Sequence, residues 1–257
     1  MNPEAAVSKV IRAGFRALGW RSFEKPSTQV VTPQNPSSFA LQREILPGPE
    51  DPVIFDVGAN VGQTTQRYLE HFPESTIYSF EPFPECFNHI QDLFRDNQRV
   101  LPQQLALSDS IGNFFLHVQP EHRNNSLLPF AYGASHWITG RAETTKMIEV
   151  TTTTVDEFCR DRGIDRIGIL KMDIQGGELR TLMGAKGMLK GDAIDLIYTE
   201  VLLVDIYEGQ GQFWEIGQFL VSLDYKLFNL YSQHISRDGR LKWADALFVR
   251  GPLVDPA

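Results

Sequence analysis

The spacing at which apolar residues recur changes along the chain, and these changes predict strands that alternate with helices. Five short apolar runs have the length of buried strands and are too short for helices: 53–57, 76–80, 101–107, 167–173 and 194–199. Helical patterns begin near residues 63, 84, 178 and 212, and two last runs at 225–230 and 244–249 predict a hairpin. The alternation predicts an α/β fold with a mostly parallel twisted sheet, helices on both faces and a C-terminal antiparallel strand pair.

Two further strands and a long polar segment interrupt this alternation. Residues 112–118 and 148–155 have the composition of strands. Between them, the apolar residues of 121–145 recur with the spacing of neither a strand nor a helix, which predicts a lid or loop without secondary structure. Asp156 is predicted to cap a short helix over residues 157–162.

The first fifty residues differ from the rest of the chain. Apolar residues at helical spacing and nearby basic residues predict a short basic amphipathic helix between residues 7 and 21. That helix would pack on the domain or on a second subunit of a homo-oligomer, and a membrane-surface helix is the alternative. Residues 25–51 are rich in Pro, Ser, Thr and Gln and are predicted as loop or linker. We therefore expect a helical arm and linker over residues 1–50 and one domain over residues 51–257.

A glycine-rich turn joins the first predicted strand to the helix that follows. Residues 53–62 read Val-Ile-Phe-Asp-Val-Gly-Ala-Asn-Val-Gly, so the candidate ligand-binding residues of the turn are Asp56, Gly58, Asn60 and Gly62. Glycine lets the backbone approach a ligand, and a helix start offers unpaired N–H groups. The pattern G-x-G-x-x-G of dinucleotide sites is missing, and Asp56 would repel a pyrophosphate. The turn favours the positively charged cofactor S-adenosylmethionine and resembles the first motif of class I methyltransferases; an ordinary strand-to-helix turn is the alternative.

Three residues farther along are candidates for contacts with the nucleoside of that cofactor. Glu81 ends the second predicted strand, about 20 residues after the glycine turn, where a carboxylate can accept hydrogen bonds from both ribose hydroxyls. Ser108 and Asp109 follow the third apolar run, in the loop that lies beside the adenine in the class I arrangement. The alternatives are a solvated loop acid for Glu81 and a helix-cap or turn residue for Asp109.

Two more acids are expected at the carboxyl edge of the sheet, where open α/β folds bind their ligands. Asp173 ends the fourth predicted strand, and Glu200 ends the fifth. A divalent metal held by these two carboxylates is the alternative to direct contact with a substrate. Glu178 opens the next helix, where its charge also suits the helix N-terminus.

Five motifs in order resemble those of the FkbM-type methyltransferases, a family of S-adenosylmethionine-dependent O-methyltransferases. They are the glycine turn at 56–62, Phe-Glu-Pro-Phe-Pro at 80–84, Ala-Leu-Ser-Asp at 106–109 with Gly112 after it, Thr-Thr-Val-Asp at 153–156, and Leu-Lys-Met-Asp-Ile-Gln-Gly-Gly-Glu at 170–178. The resemblance covers about residues 50–205. This sequence departs from the family at Gln175, where glutamate is common, so an acid or metal-ligand role is not expected there.

The resemblance implies methyl transfer to a hydroxyl of a sugar, glycan, glycolipid or polyketide-like small molecule. An acceptor oxygen must be held in line with the S–CH3 bond, and an alcohol needs a group that accepts its proton. Asp173 and Glu200 are the candidate catalytic groups, and His234, expected in the loop of the last hairpin, is the reserve base. The candidate acceptor-binding residues are Asn124, Ser126, Gln175, Glu178 and His234.

Composition narrows the remaining choices. The formal net charge of -8 gives no general field for phosphates, which argues against a nucleic-acid partner. Cys86 and Cys159 have no metal-ligand spacing and are predicted as free thiols, and no apolar run reaches the ~18 residues of a membrane span, so we expect a cytoplasmic protein. Two other functions stay open, a nucleotide-cofactor oxidoreductase and a non-catalytic binding protein with the same fold.

Overall fold

The computed structural model describes residues 37–46, 51–138 and 142–254, and the predicted amphipathic helix between residues 7 and 21 lies outside them. The strands are β1 (Val53–Val57), β2 (Thr76–Phe80), β3 (Val100–Gln103), β4 (Ala106–Leu107), β5 (Gly112–Val118), β6 (Lys146–Thr153), β7 (Ile167–Met172), β8 (Ile194–Leu202), β9 (Tyr225–Ile235) and β10 (Leu241–Arg250). The helices are α1 (Ser38–Ile45), α2 (Gln63–His71), α3 (Pro84–Leu93), α4 (Val155–Arg162), α5 (Glu178–Met183), α6 (Lys186–Lys190), α7 (Phe213–Val221) and α8 (Gly251–Val254).

Seven strands form the main sheet in the order β3-β2-β1-β7-β8-β10-β9. The first five strands of that order are parallel to one another, whereas β10 is antiparallel to both β8 and β9. The predicted α/β fold with a C-terminal antiparallel pair is therefore confirmed, and the sheet has the class I methyltransferase architecture. The parallel strands all present their carboxyl ends at one edge.

Both faces of the central strands β1, β7 and β8 are buried, which explains their apolar runs. Ile54 packs with Phe39 of α1 and Tyr68 of α2 on one face, whereas Phe55 packs with Phe158 of α4 on the other. The same division recurs along the sheet, because successive residues of a strand point to opposite faces. Each central strand therefore needs apolar residues at odd and even positions alike.

The 101–107 run is not the single strand that its pattern predicts. Residues 100–103 form the edge strand of the main sheet, while β4 pairs with β6 in a separate sheet of three strands. In that second sheet β5 and β6 are antiparallel and pack against α3 through Phe83, Cys86 and Val118. The apolar pattern marks the strands correctly but carries no information on which sheet each one joins.

Three other local predictions are wrong. Residues 38–45, expected as loop, form α1, whose Phe39 is buried against Tyr68 and Tyr198. Thr154, not Asp156, caps α4, because the carboxylate of Asp156 instead accepts hydrogen bonds from two backbone N–H groups at the start of α6. The helical pattern that begins near residue 178 forms two short helices, α5 and α6, rather than one.

The segment from 121 to 138 is ordered by its contacts rather than by long secondary structure. It contains two short 3-10 turns, His122–Asn124 and Ala134–His136. Leu128 is buried with Leu202 and Ile206, and backbone hydrogen bonds tie residues 129 and 131 to the loop over 203–211. The lid predicted over 121–145 therefore has structure of its own where it is described, and we call this part the 121–138 segment.

Candidate active site

The carboxyl ends of β1, β2, β7 and β8 open into a cavity of about 450 Å³, a volume typical of small-molecule sites. Nine of the predicted site residues line it: Gly58, Asn60, Glu81, Ser108, Asn124, Asp173, Gln175, Glu200 and His234. The other five do not: Asp56, Gly62, Asp109, Ser126 and Glu178. The sheet edge thus brings together most, but not all, of the predicted residues.

The glycine turn after β1 is shaped by close contacts with neighbouring segments. Gly58 has a φ of 76°, and a Cβ there would lie 2.0 Å from the carbonyl oxygen of Asp173. Gly62 has a φ of 84°, and a Cβ there would lie 2.8 Å from the ring of Phe94. Gly58 is therefore required for the chain after β7 to approach the turn, while Gly62 serves the start of α2 rather than the cavity.

Asp56 does not face the cavity as an unpaired negative charge. Its carboxylate accepts a hydrogen bond of 2.7 Å from Thr65 and forms an ion pair of 2.8 Å with the Nζ of Lys171, and both partners are buried. Burial alone would lower the pKa of Lys171, but the carboxylates of Asp56 and Asp173 raise it above its ordinary value. The negative charge expected to attract a cationic cofactor is thus already matched within the protein.

Lys171 is a site residue that the sequence analysis missed. Its Nζ also donates to the carbonyl oxygen of Gly58 over 3.2 Å and lines the cavity. A lysine inside an otherwise apolar buried strand needs a buried partner. That requirement, together with Asp56 in the neighbouring strand, was the signal in the sequence.

Glu81 is held by the backbone of two loops. Its two carboxylate oxygens accept hydrogen bonds of 2.9 Å from the backbone N–H groups of Asn60 and Phe83. Burial raises the pKa of Glu81 to about 7, although these two hydrogen bonds act in the opposite direction. The carboxylate is therefore fixed at the cavity wall and keeps lone pairs for further donors.

Ser108 and Asp109 separate in the structure. Ser108 is buried at the cavity wall, whereas Asp109 is exposed and its carboxylate accepts hydrogen bonds from the hydroxyls of Ser108 and Ser110. Asp109 is not part of the cavity lining, and its position fits the turn residue that was the alternative for it.

Asp173, Gln175 and Glu200 form one hydrogen-bonded group. The side-chain amide nitrogen of Gln175 donates to Asp173 Oδ1 and to Glu200 Oε2, each over 2.9 Å. Glu200 lies within β8, which extends past the end predicted for it. The two candidate catalytic carboxylates therefore share one donor at the cavity wall.

The pKa values of the nearby acids are raised. Burial raises the pKa of Glu200 well above its usual range, and the charges of Asp173, Glu178 and Asp245 add to the shift. Burial also raises the pKa of Glu178 to about 7. Glu178 accepts a 2.9 Å hydrogen bond from the backbone N–H of Ile174, so it closes the loop before α5 rather than facing the cavity.

The 121–138 segment contributes to the site in two ways. Asn124 lines the cavity. Ser126 is buried behind it, where its hydroxyl donates to the carbonyl oxygen of Gln175 over 2.7 Å. The predicted substrate contact of Ser126 is therefore replaced by a contact within the protein.

His234 lies in β9 and not in the loop of the hairpin. Its ring stacks on Trp243 of β10, with ring centres 4.8 Å apart, and both residues line the cavity. Lys242 adds its ammonium group, 4.1 Å from the centre of the Trp243 ring. The hairpin thus supplies an aromatic and basic wall that the sequence pattern did not indicate.

Within the described residues, no group of three or more His, Cys, Asp or Glu side chains is arranged to hold a metal ion. Across the same part of the chain, no helix is long and apolar enough to cross a membrane.

Comparison with known families gives one match that covers much of the chain. A family model described as the methyltransferase FkbM domain matches residues 56–227. This range contains the glycine turn, Glu81, Asp173 and Glu200, and it ends just inside β9.

Several named methyltransferases are similar in sequence to this chain. The 2-O-methyltransferase NoeI of Sinorhizobium fredii is 28% identical over 187 residues, which cover 68% of this chain and 74% of the relative. The hexuronic acid methyltransferase AglP of Haloferax volcanii is 25% identical and matches 59% of this chain and 56% of its own. The 31-O-demethyl-FK506 methyltransferase FkbM of Streptomyces tacrolimicus is 28% identical, over 56% of this chain and 62% of its own.

Proposed function

Because this chain belongs to the FkbM family of methyltransferases, we propose that it transfers a methyl group from S-adenosylmethionine to a hydroxyl of a sugar, glycan, glycolipid or related small molecule. Family membership makes it a methyltransferase rather than an oxidoreductase or a non-catalytic binding protein. The O-methyl chemistry and the class of acceptor are the parts proposed here. They are supported by NoeI and FkbM, whose names specify methylation of oxygen, and by AglP, whose name specifies a hexuronic acid.

The cavity has the polar groups that the cofactor needs. Glu81 would accept hydrogen bonds from the ribose hydroxyls, since each of its oxygens holds only one backbone N–H. The turn at Gly58 and Asn60 would lie against the methionine part, and Ser108 would lie beside the base. The bound cofactor supplies an electrophilic methyl group on a sulfonium.

The single observation that carries the proposal is the placement of Asp173. The carbonyl oxygen of this residue meets the Gly58 turn, while its carboxylate shares the amide of Gln175 with Glu200. A carboxylate beside the cofactor turn can orient an acceptor hydroxyl in line with the methyl group. It can also take the hydroxyl proton as the new C–O bond forms.

The acceptor would enter between the 121–138 segment and the β9–β10 hairpin. Asn124, His234, Lys242 and Trp243 line this part of the cavity and offer polar, basic and aromatic groups. Such a mixed wall suits a polyhydroxylated ring, whose hydroxyls need donors and acceptors and whose C–H face packs on aromatic residues.

The direct test is product identification. The protein is incubated with methyl-labelled S-adenosylmethionine and a panel of sugars, uronic acids, glycans, glycolipids and sugar-free alcohols, and the labelled product is located by mass spectrometry. We expect label on a hydroxyl oxygen, and we expect it to be lost with Asp173→Asn. Label on nitrogen or carbon would contradict the proposed chemistry, and label on a hydroxyl of a molecule without a sugar ring would change the acceptor class.

A further inference from the structure

Gln175 forms hydrogen bonds with four surrounding residues. Its side-chain oxygen accepts a hydrogen bond of 2.7 Å from the hydroxyl of Tyr207, and its backbone oxygen accepts one of 2.7 Å from Ser126. Its side-chain nitrogen donates to Asp173 and Glu200. Both N–H groups of the side-chain amide are therefore used within the protein.

This arrangement leaves the Gln175 amide no free N–H for an acceptor hydroxyl, so a contact with the acceptor would use the second lone pair of its side-chain oxygen. The residue also has a φ of 58°, a left-handed conformation that is uncommon outside glycine, asparagine and aspartate. Its contacts hold it in this conformation. A glutamine kept in this conformation by four hydrogen bonds can hold the side chains that it contacts in fixed positions.

We propose that Gln175 is a positioning residue that holds the carboxylates of Asp173 and Glu200 side by side in the geometry for methyl transfer. A neutral amide with two N–H groups can bind both acids without adding charge. This inference rests on the proposed catalytic role of Asp173, but the contacts that carry it do not depend on the acceptor.

The same residue links the two acids to the wall above them. Tyr207 belongs to the 203–211 loop, and its ring stacks on Phe130 of the 121–138 segment with centres 5.1 Å apart. The hydroxyl of Tyr207 also contacts the carbonyl oxygen of Asn124 over 3.3 Å. Docking of the 121–138 segment and alignment of the carboxylates therefore depend on the same glutamine.

The charges around Gln175 decide what its replacement does. Asp173 follows β7, Glu200 lies in β8, Glu178 begins α5 and Asp245 lies in β10, while Lys171 is the cation that opposes them. Gln175→Met keeps about the length of the side chain but removes both donors. The two carboxylates then lose the hydrogen bonds that favour their ionised forms, and each charge disfavours ionisation of the other acid.

The test measures ionisation and activity separately. The carboxyl carbon of Glu200 is titrated by NMR in the wild type, Gln175→Met, Gln175→Asn and Tyr207→Phe. We expect Glu200 to titrate at higher pH in the two Gln175 variants, and less so in Tyr207→Phe. Asparagine suits the left-handed backbone but is too short to reach both carboxylates. An effect of Gln175→Asn therefore comes from the lost hydrogen bonds and not from a misfolded backbone. Unchanged titration in both Gln175 variants would overturn the proposal.

Activity is measured on the acceptor that the panel yields. We expect Gln175→Met and Gln175→Asn to lower kcat by about 10²-fold, with the affinity for S-adenosylhomocysteine within about threefold of wild type, and the pH profile of kcat to move upward. Gln98→Met, on an exposed surface turn, and Tyr132→Phe, at a fully exposed side chain, are the matched controls. If the panel yields no hydroxyl product while the titrations shift as expected, the proposed function fails and the positioning role stands.

Discussion

At the scale of single residues, the cavity separates acids that are available to a ligand from acids that the protein has already used. Glu81 and Glu178 are both buried, and the pKa of each is raised to about 7. Only Glu81 lines the cavity, whereas Glu178 lies behind it and closes its own loop. A raised pKa alone therefore does not identify a functional acid here; position at the cavity wall does.

Replacing Glu81 tests the cofactor site. Glu81→Ala removes the expected acceptor of the ribose hydroxyls, so we expect the dissociation constant of S-adenosylhomocysteine to rise at least about tenfold, since hydrogen bonds to charged groups are worth about 1.5–3 kcal/mol. Calorimetry measures this directly, with Glu70→Ala, an exposed residue of α2, as the control. Binding as tight as that of wild type would remove Glu81 from the cofactor site.

Replacing Asp173 tests the proposed proton acceptor. Asp173→Asn keeps the size of the side chain but removes the proton acceptor, and we expect turnover to fall by at least about a hundredfold. Cofactor affinity should stay within a few-fold of wild type, and Glu200→Gln should have a smaller effect in the same direction. Steady-state kinetics on these variants and on His234→Ala decide between the bases. If Asp173→Asn turns over normally while His234→Ala is inactive, the histidine is the base.

The sequence alone predicts the positions of the candidate residues in the sheet better than the side-chain contacts that they form. Residues at the carboxyl ends of parallel strands must share one edge, so Glu81, Asp173 and Glu200 were predictable. The pairing of Lys171 with Asp56 and the bond of Ser126 to Gln175 depend on side-chain directions between distant segments, which a linear pattern does not contain. The same limit explains why Asp109 was expected at the cavity and lies outside it.

At the scale of elements, strands buried on both faces were predicted well and elements defined by tertiary contacts were not. The runs 53–57 and 76–80 match β1 and β2 at both ends. Helix α1 is short, lies in a proline-rich stretch and is stabilised by packing of Phe39, so its local sequence signal is weak. The two strands within 101–107 differ only in their partners.

Replacing Phe130 tests whether the 121–138 segment takes part in acceptor binding. Phe130→Ala removes the stacking contact with Tyr207 and should loosen the wall over the acceptor. We expect the KM for the acceptor to rise about tenfold while the affinity for S-adenosylhomocysteine stays unchanged, because a stacked aromatic pair is worth about 0.5–1.5 kcal/mol beyond its buried area. Tyr132→Ala, at a fully exposed side chain of the same segment, is the control. An unchanged acceptor KM would show that the segment plays no part in acceptor binding.

At the scale of the whole molecule, the buried acids make stability depend on pH. Glu81 and Glu178 have native pKa values of about 7 against an ordinary value of 4.5, so the folded protein binds their protons more tightly than the unfolded chain does. Their contribution to the unfolding free energy is therefore full below pH 4.5 and is lost as the pH rises through about 7.

Urea unfolding between pH 5 and pH 8 tests this dependence. We expect Glu178→Gln to reduce the loss of stability with rising pH and to be more stable than wild type at pH 8, because its amide oxygen still accepts from Ile174 without a buried charge. Glu70→Gln should follow the wild-type curve. Equal pH dependence in Glu178→Gln and wild type would show that Glu178 is not protonated in the native protein near neutrality.

The place of β10 between β8 and β9 has a consequence for how the protein is made. Strand β9 precedes β10 along the chain but reaches the sheet only through it. While the polypeptide emerges from the ribosome, β8 presents an unpaired, largely apolar edge that stays open until residues 241–250 have been synthesised. A nascent chain halted before residue 241 offers that edge to other strands, so premature termination should yield aggregates rather than a smaller folded product.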